Sequence, residues 1–283
     1  MSKQFASAVL NSTRDWFRRA SYGATGFALI ASSAVFAQIV TIPFGGPRPV
    51  KPSPNANLLG APADIAAAVA AKGRPSVMRS LDDQYHPADV LTFLGLTRGV
   101  RVFIVEHDPG YFGEIVGAAV GPGGRVTELV RRAVIQDAVA RSRLSDAIGR
   151  APNLALLAAE PSTVRLAPGS LDFVLLHLAY EQLPSDAAAP GASNPGVSAF
   201  LNKLLIALRP GGIAGVVQPS VETGVGAGRD SASVKRDFQQ AGFVLDAAGR
   251  MRGEEDDTGL DQPQAATAGS APGDFILKFR KPE

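Results

Sequence analysis

The chain has 283 residues, 46% hydrophobic and 19% charged, enough for one large α/β domain with a real core plus appendages. A formal net charge of +2 is too close to neutral to imply a nucleic-acid partner. The absence of cysteine excludes disulfides, thiolate zinc sites and a cysteine nucleophile, and His86, His107 and His177 are too far apart for a helical metal-ligand pair.

Residues 1–44 do not read as folded domain. Arg14, Arg18 and Arg19 precede residues 22–44, which carry no charge, and Val35-Phe36-Ala37 fits the small-residue rule for a signal-peptide cleavage site. This segment is expected to be an export signal or an uncleaved membrane anchor through residues 22–44, with an apolar helix packed on the domain as the third option. The expected location is the cell envelope, exported to the periplasm or anchored in the inner membrane. Residues 45–60, rich in Pro and Gly, read as a linker to a domain at 61–283.

Two helices are expected before the first strand, at 61–71 with Pro62 at its start, and at 87–94 with Val90, Leu91 and Leu94 on one side. A β-branched run at 100–105 then reads as a buried strand, followed by the turn Glu106-His107-Asp108-Pro109-Gly110, an apolar helix at 111–120 and a second strand at 125–130. Strand, tight turn, helix, glycine turn and strand form a βαβ unit, which in an open α/β sheet places a ligand crevice at the first turn. Helical spacing continues over 131–148. Short strands are expected at 163–166 and 171–178, a helix at 197–208, a strand at 213–217, a helix at 233–241 and strands at 243–247 and 274–280. The last two, with no helix between them, predict an antiparallel end to a mostly parallel sheet. Residues 184–196, 219–229 and 250–273 read as loops.

The strand–turn–helix from Val102 to Val120, Leu171-Asp172-Phe173-Val174, the helix running into Arg209-Pro210-Gly211-Gly212 and the sequence Ala241-Gly242-Phe243 resemble the class I S-adenosylmethionine-dependent methyltransferases. Within that family the chain is most similar to the bacterial "predicted methyltransferase" group. That likeness rests on Gly110-Tyr111-Phe112 after the first loop and on the terminal Phe275-Ile276-Leu277-Lys278-Phe279-Arg280-Lys281-Pro282. It covers residues 79–283. It implies a Rossmann-like methyltransferase fold: a mostly parallel seven-stranded sheet, an antiparallel C-terminal hairpin and helices on both faces. It also implies S-adenosylmethionine as cofactor and agrees with an exported protein.

Carried onto this chain, the resemblance assigns cofactor contacts to Glu106, Asp108, Gly110 and Tyr111 in the first loop, Glu128 on the second strand and Asp172 on the fourth. The family's loop reads acid–x–Gly–x–Gly–x–Gly. With Gly110-Tyr111 fixing the register, Ile104 takes the acid position and Glu106 and Asp108 replace two glycines. In a slipped register Glu106 is the acid, and Asp108 and Phe112 replace glycines. Both registers stay open, and a non-glycine residue forced left-handed costs about 1–2 kcal/mol. Glu128 lies two residues before Val130, where the ribose-binding acid is expected, on the same strand face. Asp172 reads equally as a cap of the turn after Ser170. Ala179-Tyr180-Glu181-Gln182 replaces the group's Asn-x-His-Asp-like segment.

The polar groups left near the strand ends are His107, Tyr111, Asp172, Tyr180 and Glu181. Two functions are expected to compete: a methyltransferase with an unknown small-molecule or protein acceptor, and an inactive descendant serving as an envelope binding or scaffold module. A different nucleotide-binding enzyme lacks support, since no P-loop and no GxGxxG follows a strand. Ser170 and Ser220 have no triad partners at recognisable spacing. Glu254-Glu255-Asp256-Asp257 lacks the alternating spacing of a calcium loop and reads as a solvated acidic loop.

Overall fold

The computed structural model describes residues 60–183, 194–219, 230–251 and 274–283. The expected leader or anchor at 1–44, nearly all of the linker, most of the three loops at 184–196, 219–229 and 250–273, Ser220 and the acidic stretch Glu254–Asp257 lie outside the described residues, as does the Glu181 side chain.

Four short helices come first, α1 (Ile65–Val69), α2 (Ser76–Arg79), α3 (Asp82–Tyr85) and α4 (Pro87–Leu94). The last is fixed by Pro87 in its first turn and by Gly95, left-handed at φ 75°, just past its end. The βαβ unit follows as β1 (Arg101–Glu106), α5 (Tyr111–Val120) and β2 (Arg125–Val130). Then come α6 (Arg132–Gln136), α7 (Ala138–Arg150), β3 (Leu154–Ala158), β4 (Leu171–His177) and a 3-10 turn at Tyr180–Gln182. The chain continues with α8 (Pro195–Ala207), β5 (Leu208–Pro219), α9 (Ser231–Gln240), β6 (Val244–Arg250) and β7 (Asp274–Arg280).

The seven strands form one sheet in the order β3-β2-β1-β4-β5-β7-β6. β7 runs antiparallel to β5 and β6, and the other pairs are parallel. The expected fold is thus the observed one. β1 is covered on both faces, which is why its sequence is a continuous apolar run. Val102 and Ile104 pack under α4 and α5, while Phe103 and Val105 belong to the core under α8 and α9. Phe238 of α9 stacks on Phe279 of β7 at 4.2 Å between centroids, tying the antiparallel hairpin to that second core. Because β1 pairs with β2 on one side and with β4 on the other, the chain reverses direction across the sheet at β1, and the crevice of this topology opens at the C-terminal ends of β1 and β4. Among the described residues no helix is long and apolar enough to cross a membrane.

Several expected elements move. The helix expected at 61–71 shrinks to Ile65–Val69, because Pro62 bridges to Thr97 and Asp64 caps the helix by accepting from the Ala67 N–H. The single helix over 131–148 is broken at Asp137, whose carboxylate accepts from the Ala140 N–H at 2.7 Å and starts α7 anew. The strand expected at 163–166 is instead a turn, in which the Thr163 and Val164 N–H groups both return to the Glu160 carbonyl. The third strand is Leu154–Ala158. Arg209-Pro210-Gly211-Gly212 does not separate helix from strand but forms the irregular start of β5, where pairing jumps from Leu171↔Leu208 to Phe173↔Ile213. Proline is tolerated at such an irregular strand start.

Candidate functional site

The turn between β1 and α5 is built around two carboxyl groups. Glu106 is the last residue of β1, with its side chain buried on the α5 side of the sheet. It accepts the Phe112 N–H at 2.9 Å and the Gly113 N–H at 3.2 Å. Glu128, fully buried in mid-β2, accepts the Gly110 N–H at 2.8 Å. The first N–H groups of a helix have no intrahelical acceptor, and a helix N-terminus favours negative charge, so these carboxyls satisfy donors that the fold would otherwise strand. Gly110 itself is left-handed at φ 91°, a conformation that glycine adopts without steric cost.

Glu106 and Glu128 lie within hydrogen-bonding reach of each other, in a pocket with no cation among the groups that act on them. Burial first, then the adjacent Glu128 charge, push Glu106 well above the carboxylate range despite its two amide partners. Burial pushes Glu128 up to about 7, against the opposing pull of the Gly110 amide and Glu106. The second Glu128 oxygen, Oε2, receives no N–H, and a Cβ on Gly113 would lie 2.3 Å from it. Glycine at 113 is what lets the helix come down onto the pair.

A second polar network fastens the N-terminal helices onto this turn. The Tyr85 hydroxyl donates to Asp108, and the Tyr111 hydroxyl donates to Asp82 Oδ1 at 2.7 Å. Asp82 also receives both terminal nitrogens of Arg74, at 2.7 and 2.8 Å. Burial, and next the carboxylate each one faces, raise both tyrosine hydroxyls above their usual range. His177 ends β4 directly beside Glu106. It is fully buried between the rings of Tyr85 and Phe112, each 4.6 Å away, and neither ring nitrogen has a hydrogen-bond partner. Burial, with His107 nearby, pushes it down to about 3, so it is neutral. Leu178, the next residue, is left-handed at φ 49°, a local strain at the end of the central strands.

The crevice lies on the other side of Glu106, where His107, Pro109, Arg131, Val134 and Gln182 line a cavity of about 20 Å³. His107 Nδ1 and Gln182 Nε2 face each other across it at 3.3 Å. Ligand pockets measure about 300–1,000 Å³, whereas this cavity has room for about one water.

The sequence-derived candidates therefore separate. Glu106, Asp108, Gly110, Tyr111 and Glu128 do come together, with Glu106 at the strand end on the amides of α5. Asp108 faces Tyr85, the Tyr111 hydroxyl turns back to α3, and Glu128 points under α5 instead of standing at the end of β2, where Arg131 is the next residue. Asp172 is corrected outright as a cofactor contact. It lies at the N-terminal end of β4, the sheet edge away from the crevice. There it binds the Arg101 N–H at 2.8 Å, the Arg101 guanidinium at 2.9 and 3.0 Å and Arg209 at 2.8 Å. Tyr180 also leaves the site, donating to Asp237 at 2.7 Å in the core under α9. Arg74, Asp82 and Tyr85 carried no motif in the sequence; only the placement of α2 and α3 against α5 reveals them. Among the described residues no group of three or more metal-ligating side chains comes together. The residues present do not fit S-adenosylmethionine in the usual seat. Among the described residues the crevice cavity holds about one water, the second-strand acid is turned inward, and the loop carboxylates are engaged with protein groups.

No protein-family model matches the chain, and no curated protein matches it in sequence. Among solved structures it is similar to a SAM-dependent methyltransferase from Aquifex aeolicus, at 16% identity and TM-score 0.52, over 77% of this chain and 98% of that one. It is also similar to a candidate methyltransferase from Bacillus halodurans C-125, at 13% identity and TM-score 0.50, over 69% of this chain and 98% of that one. The fold is that of the class I SAM-dependent methyltransferases, a seven-stranded Rossmann-like sheet with an antiparallel C-terminal hairpin.

Proposed function

We propose that this chain is a methyltransferase-fold protein that has lost the usual S-adenosylmethionine seat and acts as a binding or scaffold module in the cell envelope. The observation that carries this reading is the closed crevice, about 20 Å³, at the place where the fold would hold its cofactor. Glu128 supports it: an acid free to receive ribose hydroxyls would stand at the end of β2, and this one is buried against the Gly110 amide. Fold alone does not assign chemistry, because one scaffold hosts many functions. Placement in the envelope rests on Arg14, Arg18 and Arg19 ahead of the uncharged residues 22–44, which act as export signal or membrane anchor.

A second reading, an active methyltransferase with a small-molecule or protein acceptor, is favoured by one observation. Gly110 at φ 91° still joins an acid-ended β1 to the N-terminus of α5, the strand–glycine–helix geometry that places a ligand at this turn. Incubating the full chain with methyl-labelled S-adenosylmethionine and a cell-envelope extract separates the two. The first reading expects no label transfer above an extract-only control. Transfer that depends on the protein establishes the second.

A further inference from the structure

Three fully buried or nearly buried titratable side chains stand on one face of adjacent strands beneath α5. His177 on β4 is paired with Glu106 on β1, and Glu128 on β2, paired with Ile104, lies one same-face position back. Of these, Glu106 alone also lines the crevice. We propose that the Glu106–Glu128 pair is a proton-dependent fastener that holds the β1–α5 turn closed over the crevice and loosens as pH rises to neutrality.

Two carboxyl groups in contact inside an apolar pocket cannot both ionise, so in the closed state they share protons and titrate as a unit. The amide donors divide between the pair: the two Glu106 oxygens accept the Phe112 and Gly113 N–H groups, and Glu128 Oε1 accepts the Gly110 N–H. This leaves the buried Glu128 Oε2 as the oxygen without a protein donor, free to carry a proton toward Glu106. Ionisation places negative charge beside groups that cannot neutralise it. Across β4, His177 is neutral and packed between Tyr85 and Phe112. On α5, Tyr111 is committed to Asp82, and Glu114 to Arg150 at 2.7 Å. In the turn itself, Asp108 is held by Tyr85 from α3, and His107 faces Gln182. From α7 the groups facing Gly110 are Leu144 and Ala147, and from β3 the group facing Gly113 is Leu154, all apolar. Arg131 lies across the crevice, on its far wall. Among the described residues Glu106 is the member of the pair that reaches the crevice, so the turn at residues 107–110 lifting there would bring water to the ionised pair.

A carboxyl whose pKa is raised in the closed state contributes stability that is complete below its ordinary value of about 4.5 and is lost as pH rises through its closed-state value. For both members of the pair that closed-state value lies above the ordinary carboxylate range, raised by burial. The inference does not depend on whether the crevice ever holds a cofactor.

The experiment is hydrogen–deuterium exchange on the full chain between pH 5 and 8, corrected for intrinsic exchange and read on peptides spanning residues 106–113, in wild type and Glu128→Gln. In wild type, protection is expected to fall by up to about tenfold per pH unit toward 7 and then level off, the slope of one linked proton. In Glu128→Gln, which removes the shared partner and leaves only the buried Glu106 to titrate, the fall should be shallower than in wild type. Protection that is constant with pH in wild type, or that falls equally in both, overturns the proposal. Should Glu128→Gln fail to fold, the infrared carbonyl band of protonated carboxyl in the wild-type chain decides. It must be present at pH 6 and lose intensity by pH 8, and its absence at pH 6 overturns the proposal.

Discussion

Arg74 grips both carboxylate oxygens of Asp82 while lying over the ring of Tyr111, 5.4 Å from its centroid. This pair joins α3 and the loop before α2 to the first turn of α5, and its Arg74 side chain is only 2% exposed. A guanidinium so buried cannot be left without its partner cheaply. Replacing Asp82 with Ala is expected to cost roughly 2–3 kcal/mol, below the range for a fully buried pair because Asp82 keeps some solvent contact. Urea unfolding of the full chain measures it. Burial alone would raise the Asp82 pKa, but Arg74 and Tyr111 hold it below the usual carboxylate range. Its contribution is therefore present above about pH 3.8 and lost as pH falls below that value. The Asp82→Ala variant should show a weaker acid dependence than wild type.

Gly113 and Glu128 are sterically linked. An alanine at 113 would put its Cβ 2.3 Å from Glu128 Oε2 and 3.2 Å from a Leu154 methyl. Gly113→Ala is expected to destabilise by about 1–3 kcal/mol, the usual cost of overpacking. Much of that loss should vanish when Glu128 is also replaced by Ala, because the clash is then removed. Additive losses in the thermal unfolding of the single and double variants would show that the two residues do not share this space.

Two glycines, Gly110 in the β1–α5 turn and Gly149 in α7, should respond in opposite directions. Gly110→Ala forces a Cβ into a left-handed conformation at φ 91° and 3.2 Å from Leu144, and is expected to cost about 1–2 kcal/mol or more. Gly149, in the last turn of α7 with open space around its Cβ position, should gain about 0.4–1 kcal/mol when replaced by Ala. Denaturant midpoints of the two variants give the comparison directly.

Asp172 serves stability at the edge away from the crevice. Burial would raise its pKa, but Arg101 and Arg209 hold it low, and both arginines are about half exposed. Asp172→Asn is therefore expected to lower stability by only about 1–2 kcal/mol. Any ligand found to bind at the crevice should do so with unchanged affinity in this variant.

Much of the fold was legible because local chemistry and tertiary context agree. Pro87 and Gly95 bracket α4, Gly110 starts α5, and the apolar run within 274–280 forms an antiparallel strand. β3 was not legible. Leu-Ala-Leu-Leu-Ala has no β-branched residue and strong helix formers, and only its pairing with β2 makes it a strand. The break at Asp137 was hidden by apolar spacing that continues through it. At the site, the sequence located the turn and its acids but not their direction. Glu128 shares a strand face with Val130, yet whether it faces a ribose or a helix end depends on how far α5 descends. That descent is set by Gly113, which no loop motif singles out.

The most direct measurement is calorimetric titration of the full chain with S-adenosylmethionine and with S-adenosylhomocysteine. A closed crevice with its carboxyls committed to Phe112, Gly113 and Gly110 predicts no binding heat up to millimolar ligand. Saturable micromolar binding of either compound would contradict that account, since the β1–α5 turn would then have to open into a true cofactor seat.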